Sequence, residues 1–386
     1  MKTKLLIIGA GPYGLALAAF AKKHAIDFII LGEPMGFWKN NMPADMLLRS
    51  GIDWHLDPFD DFTFHNFLLD RGIFDSFELP ITKKLFLDYA AWFMEKNNIE
   101  VRHDLVHTLS YEEERYVARL ENNDVIIADY AVIATGLHFF KNLPEKISEN
   151  INRQYYSHTL DTVSFDFLKK KKCIIIGGRQ SAFEWAALML ENGCNEVNIL
   201  YDHGTPKFEL SGWEWVDGLM ENIAAKPNWF NSISAEERAS ISNRFWEEGR
   251  LKLEPWLAAR LSGKNIQMWP FREIKKVTTV QDTIELQTND DEKITGHHIL
   301  LATGYKVDLE KVPFLVRGNM LTSIKLKKGF PVLNANFESS MRGLFFTGIA
   351  TTQDFGPFFG FVKGAPLTAT IIGKFIMSMQ DNKRGI

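Results

Sequence analysis

Residues 4–33 constrain this chain more than any other stretch. An apolar run, Leu5-Leu6-Ile7-Ile8, enters Gly9-Ala10-Gly11-Pro12-Tyr13-Gly14, followed by a small-residue helix over residues 15–24 and a second apolar run over 28–31. Strand, glycine turn, helix and strand in this order predict a βαβ unit that holds a dinucleotide. Gly9 turns the chain sharply off the strand, Gly11 leaves room for a pyrophosphate, and Gly14 lets the helix pack closely while its first amides face the phosphates. An acid about 20 residues further on belongs to the same fingerprint. Counted from Gly14 it falls near Gly32, so Glu33, one place later, is assigned to the ribose.

A second unit of the same design follows. Cys173-Ile174-Ile175-Ile176 leads into Gly177-Gly178-Arg179-Gln180-Ser181-Ala182, a helix to residue 191 and a strand over 197–201. The turn reads GxGxxA with Arg179 at the second glycine's place. A side chain there obstructs the pyrophosphate unless its guanidinium itself contacts the phosphates. Nucleotide binding and a vestigial turn therefore both stay open. Two such units suit a chain of 386 residues, which exceeds the size at which one hydrophobic core stops growing.

Gly, Pro and Asn break any period over residues 34–60, predicting an irregular loop that wraps something. Residues 82–97 predict an amphipathic helix capped by Thr82, and short strands near 100–102, 108–112, 116–120 and 125–127 predict a β-meander. A separate buried strand over 129–136 ends in Ala134-Thr135-Gly136, and the same tripeptide recurs at Ala302-Thr303-Gly304. Residues 205–265 read as a Trp-rich helical insertion with a capping box at Ser234 and Glu237, packing by its aromatic faces or serving as a substrate lid. A closing helix is expected over 366–379.

A net charge of −4 leaves no basic footprint for nucleic acid. No apolar run suits a membrane span, and the first strand leaves no room for a leader peptide. The expectation is a cytoplasmic protein without stable membrane insertion. Cys173 and Cys194 form no CxxC pair, which argues against a redox dithiol. His103 and His107 lie in a strand-and-loop stretch, so no metal site is expected.

Over nearly its whole length the chain resembles two-dinucleotide-binding flavoproteins, closest to the flavin-containing and N-hydroxylating (lysine/ornithine-type) monooxygenases. Gly9 to Gly14 look like their FAD motif, Gly177 to Ala182 their NAD(P) motif, and Leu301-Ala302-Thr303-Gly304-Tyr305 their LATGY element. His158 stands where their FxGxxxHxxxY signature has its histidine, although Asn152, Gln154 and Thr162 replace its other positions. The resemblance implies an α/β fold of two Rossmann-like dinucleotide-binding domains, the second inserted in the first. The FAD-binding domain would take residues 1–160 and 296–386, and the NAD(P)-binding domain 161–295, with the helical insertion at 205–265.

The resemblance also implies site residues. FAD would rest on Gly9, Gly11, Pro12, Tyr13, Gly14 and Glu33, with Thr135, Gly136, Thr303 and Gly304 from the Ala-Thr-Gly segments and Gly348 near the C-terminus. Trp38, Met46, Trp54, Phe355, Gly356 and the aromatics over 355–359 would wall the site. NADPH or NADH would rest on Gly177, Gly178, Arg179, Gln180, Ser181 and Ala182. Asp202, at the end of the second unit's strand, favours NADH by repelling a 2′-phosphate, with Lys207 and Arg179 as possible counterweights. Asn41 resembles the asparagine whose amide lies near flavin and nicotinamide. Arg49 would offer a cation to the nucleotide or an acidic substrate, or else pair with a loop carboxylate.

The activity implied is that of an NAD(P)H-driven monooxygenase passing one oxygen atom from a flavin hydroperoxide to a small soft nucleophile, an amine or thioether. Its partners would be that substrate and oxygen, with the protein a monomer or homodimer. Two other readings stay open. One is a reductase of quinones, low-molecular-weight disulfides or iron proteins. The other is a non-catalytic nucleotide sensor, which Arg179 favours.

Overall fold

In the computed structural model, which describes residues 1–384, the opening stretch forms β1 (Lys2–Ile8), α1 (Pro12–Lys23) and β2 (Phe28–Leu31). β1 is apolar without alternation because both of its faces are covered, as parallel strands require. Leu5, Leu6 and Ile7 are fully buried. Ala16, Ala18, Ala19 and Ala21 let α1 sink onto the sheet, and all four are buried. α2 (Lys83–Lys96) starts where expected, with Thr82 Oγ1 accepting from Leu85 N at 3.1 Å.

The first sheet continues through β3 (Val106–Glu112), β4 (Arg115–Leu120) and β5 (Val125–Ile133) in the order β2-β1-β5-β4-β3. Two strand expectations change here. The meander's last strand and the buried strand after it are one element, β5, because no Gly or Pro interrupts them; Asp129 stays half-buried, paired with Lys4 at 2.9 Å. Residues 100–102 contribute a single bridge, Arg102 beside Leu31. β5 then forks, its first half lying antiparallel to β4 while its second half pairs parallel with a late strand over residues 344–346.

The second sheet is built from β6 (Tyr156–His158), β7 (Lys172–Ile176), β8 (Glu196–Leu200), β9 (Ile266–Trp269) and β10 (His298–Leu301), all parallel, in the order β9-β8-β7-β10-β6. α3 (Gln180–Glu191) joins β7 to β8. β6 and β10 belong to this sheet by register. The chain therefore crosses between sheets near residues 137–142 and 302–307 rather than at 160 and 296. The two crossing segments are tied to each other: Asn142 N donates to Gly304 O at 3.0 Å, Thr303 Oγ1 to Asn142 O at 2.6 Å, and Lys306 N to Phe140 O at 2.7 Å. A three-residue β6 has too short a pattern to announce its partner.

The insertion contains α4 (Trp215–Ala225), α5 (Ala235–Arg250) and α6 (Pro255–Leu261). The capping box forms: Ser234 Oγ accepts from Glu237 N at 3.1 Å, and Glu237 Oε2 from Ser234 N at 2.8 Å. The chain closes with β11 (Leu344–Phe346), the strand beside β5, and α7 (Ala365–Arg384). α7 packs so closely on α1 that a Cβ on Gly373 would lie 2.1 Å from the Phe20 ring. Among the described residues no helix is long and apolar enough to cross a membrane.

Candidate cofactor and substrate site

The first turn has the shape a pyrophosphate needs. Gly9 adopts a φ of 116°, which glycine tolerates and side-chain-bearing residues rarely do, and a Cβ there would lie 2.3 Å from Ala134 O. Gly14 packs its helix onto the same turn, its hypothetical Cβ 1.9 Å from Gly9 O. Gly11 differs: a Cβ would meet nothing within 4 Å, so this position faces open space. α1 has no side-chain cap and no acid in its first turn. Its first amides are therefore free to receive an anion, and the positive end of its dipole is unopposed. The Glu33 carboxylate stands at the end of β2, accepting from Asn40 Nδ2 at 2.5 Å. These residues fit the pyrophosphate and ribose of FAD.

The second turn repeats the first. Gly177 has a φ of 125°, and its hypothetical Cβ would lie 2.4 Å from Ala302 O, as Gly9's would from Ala134 O. Each Ala-Thr-Gly segment is thus the floor of one glycine turn. α3 also lacks a side-chain cap and a first-turn acid. The next position is closed, since the Tyr201 ring covers Gly178 at 2.4 Å from a hypothetical Cβ. Arg179 swings away, its guanidinium 4.0 Å above the ring of Trp246 on α5. Desolvation lowers its pKa while the nearby Asp202 carboxylate raises it.

Asn41 and Arg49 both reach the second domain. Asn41 Nδ2 donates to Leu160 O at 3.0 Å, so its amide is engaged at the domain junction. Arg49 donates through Nε to Glu254 Oε1 at 2.9 Å, through Nη1 to Gly249 O at 2.8 Å, and through Nη2 to Ser211 Oγ at 2.7 Å and Lys252 O at 3.2 Å. Its charge and most of its donors are spent on holding the insertion. The pair with Glu254 agrees with the carboxylate-pair reading of Arg49.

A ring of bonds links these parts. Leu47 N donates to Glu184 Oε1 at 3.0 Å, Glu254 N donates to Gln180 Oε1 at 3.0 Å, and Gln180 and Glu184 lie one turn apart on α3. Burial pushes the Glu184 carboxyl up to about 7, with the Leu47 amide opposing the rise. His158 is a satisfied pin at the same junction. Its Nδ1 accepts from Leu160 N at 3.0 Å and its Nε2 lies 3.0 Å from Gly304 O, which assigns the proton to Nε2. Burial holds its pKa below the usual value, so it stays neutral.

A cavity of about 670 Å³ opens between the 48–54 loop and the insertion, walled by Trp54, Trp213 and Trp256 with Arg49, Asp53 and Glu254. None of its lining residues belongs to either glycine turn. The insertion closes onto the C-terminal segment: the Phe358 ring lies 5.1 Å from Trp215 and 5.2 Å from Phe245, and Trp54 lies 6.2 Å from Phe361. Tyr13 anchors that segment to the first turn, its hydroxyl 2.6 Å from Phe359 O and 2.8 Å from Phe361 O. Lys363 Nζ bridges Asp53 and Asp217 at 2.8 Å each, joining the loop to the insertion.

The other expected wall residues each pack on an aromatic or apolar neighbour. Trp38 packs on Phe86 at 4.7 Å, Phe355 stacks on Phe337 at 3.7 Å, and Met46 packs against the core of the second domain. Gly356 lies under the Phe230 ring and Gly348 beside Tyr13. Apolar type announced burial at these positions but not the neighbour. Sequence reasoning gave no site role to Glu184, Arg250 and Lys363, which bring titratable groups to the junction, or to Trp246, which carries Arg179. Trp246 and Arg250 are four apart on a helix, a signal that points to a shared face only once the helix's partner is known.

The sequence model of the pyridine nucleotide-disulphide oxidoreductase family matches residues 6–243. A probable indole-3-pyruvate monooxygenase of Arabidopsis thaliana, YUCCA10, is 24% identical over 213 residues; the match spans about half of each protein, 52% of this chain and 52% of the relative. The fold is similar to that of the ornithine N-hydroxylase of Kutzneria sp. 744, with a TM-score of 0.81 at 15% identity over 98% of this chain and 100% of the other. It is also similar to the bacillithiol disulfide reductase of Staphylococcus aureus, with a TM-score of 0.69 at 18% identity over 98% and 99%. Two like glycine turns on two parallel sheets, joined by one pair of crossing segments, and a family match over more than half its length make this chain a member of the pyridine nucleotide-disulphide oxidoreductase family.

Proposed function

We propose that the protein is an FAD-dependent, NAD(P)H-driven monooxygenase that transfers one oxygen atom to a small soft nucleophile such as an amine or thioether. The observation that carries this reading is the aromatic closure beside the first turn, where the insertion packs on a C-terminal segment that Tyr13 ties to the FAD motif. Oxygen transfer needs a space from which water is excluded. FAD, when bound, supplies the acceptance of hydride and the activation of oxygen. Gly11 and the first amides of α1 hold its pyrophosphate, Glu33 its ribose, and Arg49 keeps the insertion closed over the cavity. Asn41 fixes the junction between the two nucleotide domains.

The relatives support this choice. YUCCA10 carries a monooxygenase name and the Kutzneria protein is an ornithine N-hydroxylase. The likeness to a bacillithiol disulfide reductase keeps a second reading, reduction of a low-molecular-weight disulfide. Against it, both cysteines are buried in the second domain and Tyr13 occupies the first turn. The proposal includes a small-molecule substrate and oxygen as partners, a monomer or homodimer as the working form, and the cytoplasm as its compartment, in keeping with two free thiols.

The test is to reduce the FAD-loaded protein with NADPH or NADH without oxygen, then admit isotopically labelled oxygen with candidate amines and thioethers. One labelled atom in the product is expected. Asn41→Ala should retain FAD and release more peroxide per product. Rapid reoxidation by a disulfide or quinone without labelled product would move the assignment to the reductase.

A further inference from the structure

The cavity between the 48–54 loop and the insertion has a chemistry that neither nucleotide calls for. Its aromatic wall is Trp54, Trp213 and Trp256, and the first two rings meet at 6.0 Å and 64°, so they form a corner rather than a stack. Its charged lining is four carboxylates, Asp53, Glu214, Asp217 and Glu254, against one guanidinium, Arg49. Arg49 is engaged by Glu254 and three neutral acceptors, and Lys363, behind the same wall, is shared between Asp53 and Asp217 at 2.8 Å each. Four acids therefore meet two cations, and negative charge is in excess.

The mouth of the cavity is apolar. Leu79 and Leu210 both line it and are 63% and 73% exposed. A single exposed leucine is ordinary, but two on the lip of one aromatic cavity offer a ligand an apolar exit. Ring faces under an excess of negative charge attract a cation. Rings and leucines accept no strong hydrogen bonds, so they cannot replace the water that a bare ammonium sheds, whereas a nitrogen clothed in methyl groups has little water to lose. A volume of about 670 Å³ leaves room for such a head and for an apolar tail.

We propose that this cavity binds an alkylated ammonium, its quaternary head against the tryptophans and carboxylates and its apolar tail running out over Leu79 and Leu210. The inference goes beyond the proposed oxygen transfer. A quaternary nitrogen has no lone pair to accept oxygen, so the head is held and not oxidised. Binding at this cavity is therefore independent of what becomes of the oxygen. The insertion supplies Trp213, Trp256 and Leu210 to the site, and the 48–54 loop supplies Trp54 and Asp53.

The experiment is equilibrium binding to the FAD-loaded protein, read by calorimetry and by tryptophan fluorescence. The probes are choline, its neutral carbon isostere 3,3-dimethylbutan-1-ol, tetramethylammonium, hexyltrimethylammonium and hexylammonium. Choline should bind about tenfold more tightly than its isostere, the ratio that cation–π attraction at a desolvated site supplies. Hexyltrimethylammonium should exceed tetramethylammonium by at least about tenfold through its buried methylenes, and should also exceed hexylammonium. Trp256→Leu should weaken every quaternary ligand at unchanged FAD content. Glu214→Gln, a change at an exposed side chain, serves as the second variant should Trp256→Leu fold poorly, and should weaken choline while leaving the isostere where it was. Leu210→Ser should remove the gain from the hexyl tail and spare tetramethylammonium. Equal binding of choline and its isostere would overturn the inference, as would tighter binding of hexylammonium than of hexyltrimethylammonium, a hexyl tail without effect, or failure of every cation to bind. Each of these results leaves the monooxygenase reading intact, because the labelled-oxygen product decides that reading separately.

Discussion

Replacing Glu184 with Gln should stabilise the protein at alkaline pH, and the size of the effect follows from the burial of one carboxyl. Glu184 is 1% exposed, its Oε1 accepts from Leu47 N, and its Oε2 has no partner. Burial raises its pKa from the ordinary 4.5 to about 7, so the native state holds a proton that the unfolded state has lost between those values. Stability from this group is full below the unfolded pKa and is lost as pH rises through the folded one. From about pH 5.5 to about pH 8.5 the loss is about 2 kcal/mol. Gln keeps the acceptor for Leu47 N and cannot ionise. Urea unfolding of both proteins at several pH values, followed by tryptophan fluorescence, should show the Glu184→Gln advantage growing by that amount across the range. Parallel pH profiles, or a Gln variant that is weaker throughout, would refute the argument that desolvation rather than the neighbouring arginines controls this carboxyl.

His298 supplies the opposite limb: burial, then repulsion from Lys171 and Arg153, takes its pKa to about 4, so the unfolded state binds the proton first and stability falls with acidification. The loss from about pH 7.5 to about pH 5 is about 2 kcal/mol, and His298→Gln should flatten that limb in the same unfolding series. Gly14→Ala, a change that ordinarily stabilises a helix interior by about 1 kcal/mol, should here destabilise by about 2 kcal/mol, because the new Cβ falls 1.9 Å from Gly9 O. Thermal unfolding and release of flavin measure it, and unchanged flavin retention would count against the packing reading of Gly14. Arg49→Ala leaves Glu254, whose side chain is 9% exposed, without its partner, at a cost of about 3 kcal/mol. Limited proteolysis should then cut within residues 205–265, and a wild-type digestion pattern would show that the insertion is held by other contacts.

Local pattern alone made several elements readable. The two glycine turns, the helix capped by Thr82, the Ser234–Glu237 capping box and the Ala-Thr-Gly segments depend on residues close together in the chain, and each took its expected form. Where a step depended on a distant neighbour, the reading drifted. β5 appeared as two strands because a change of partner halfway along leaves no mark in composition. Arg49 offered two meanings, and only the fold of the insertion set Glu254 and three further acceptors around it.

The dinucleotide-binding class and the double design were therefore settled by the chain itself, since glycine turns and buried parallel strands are matters of backbone geometry and local hydrophobicity. The boundary between the domains, the employment of Arg49, the raised carboxyl of Glu184 and the meeting of Arg179 with Trp246 belong to tertiary structure. Each depends on burial and on charges brought together across more than 50 residues of sequence, as when Arg179 stacks on Trp246. Desolvation and Coulomb interaction act through space, and no spacing along the chain encodes them.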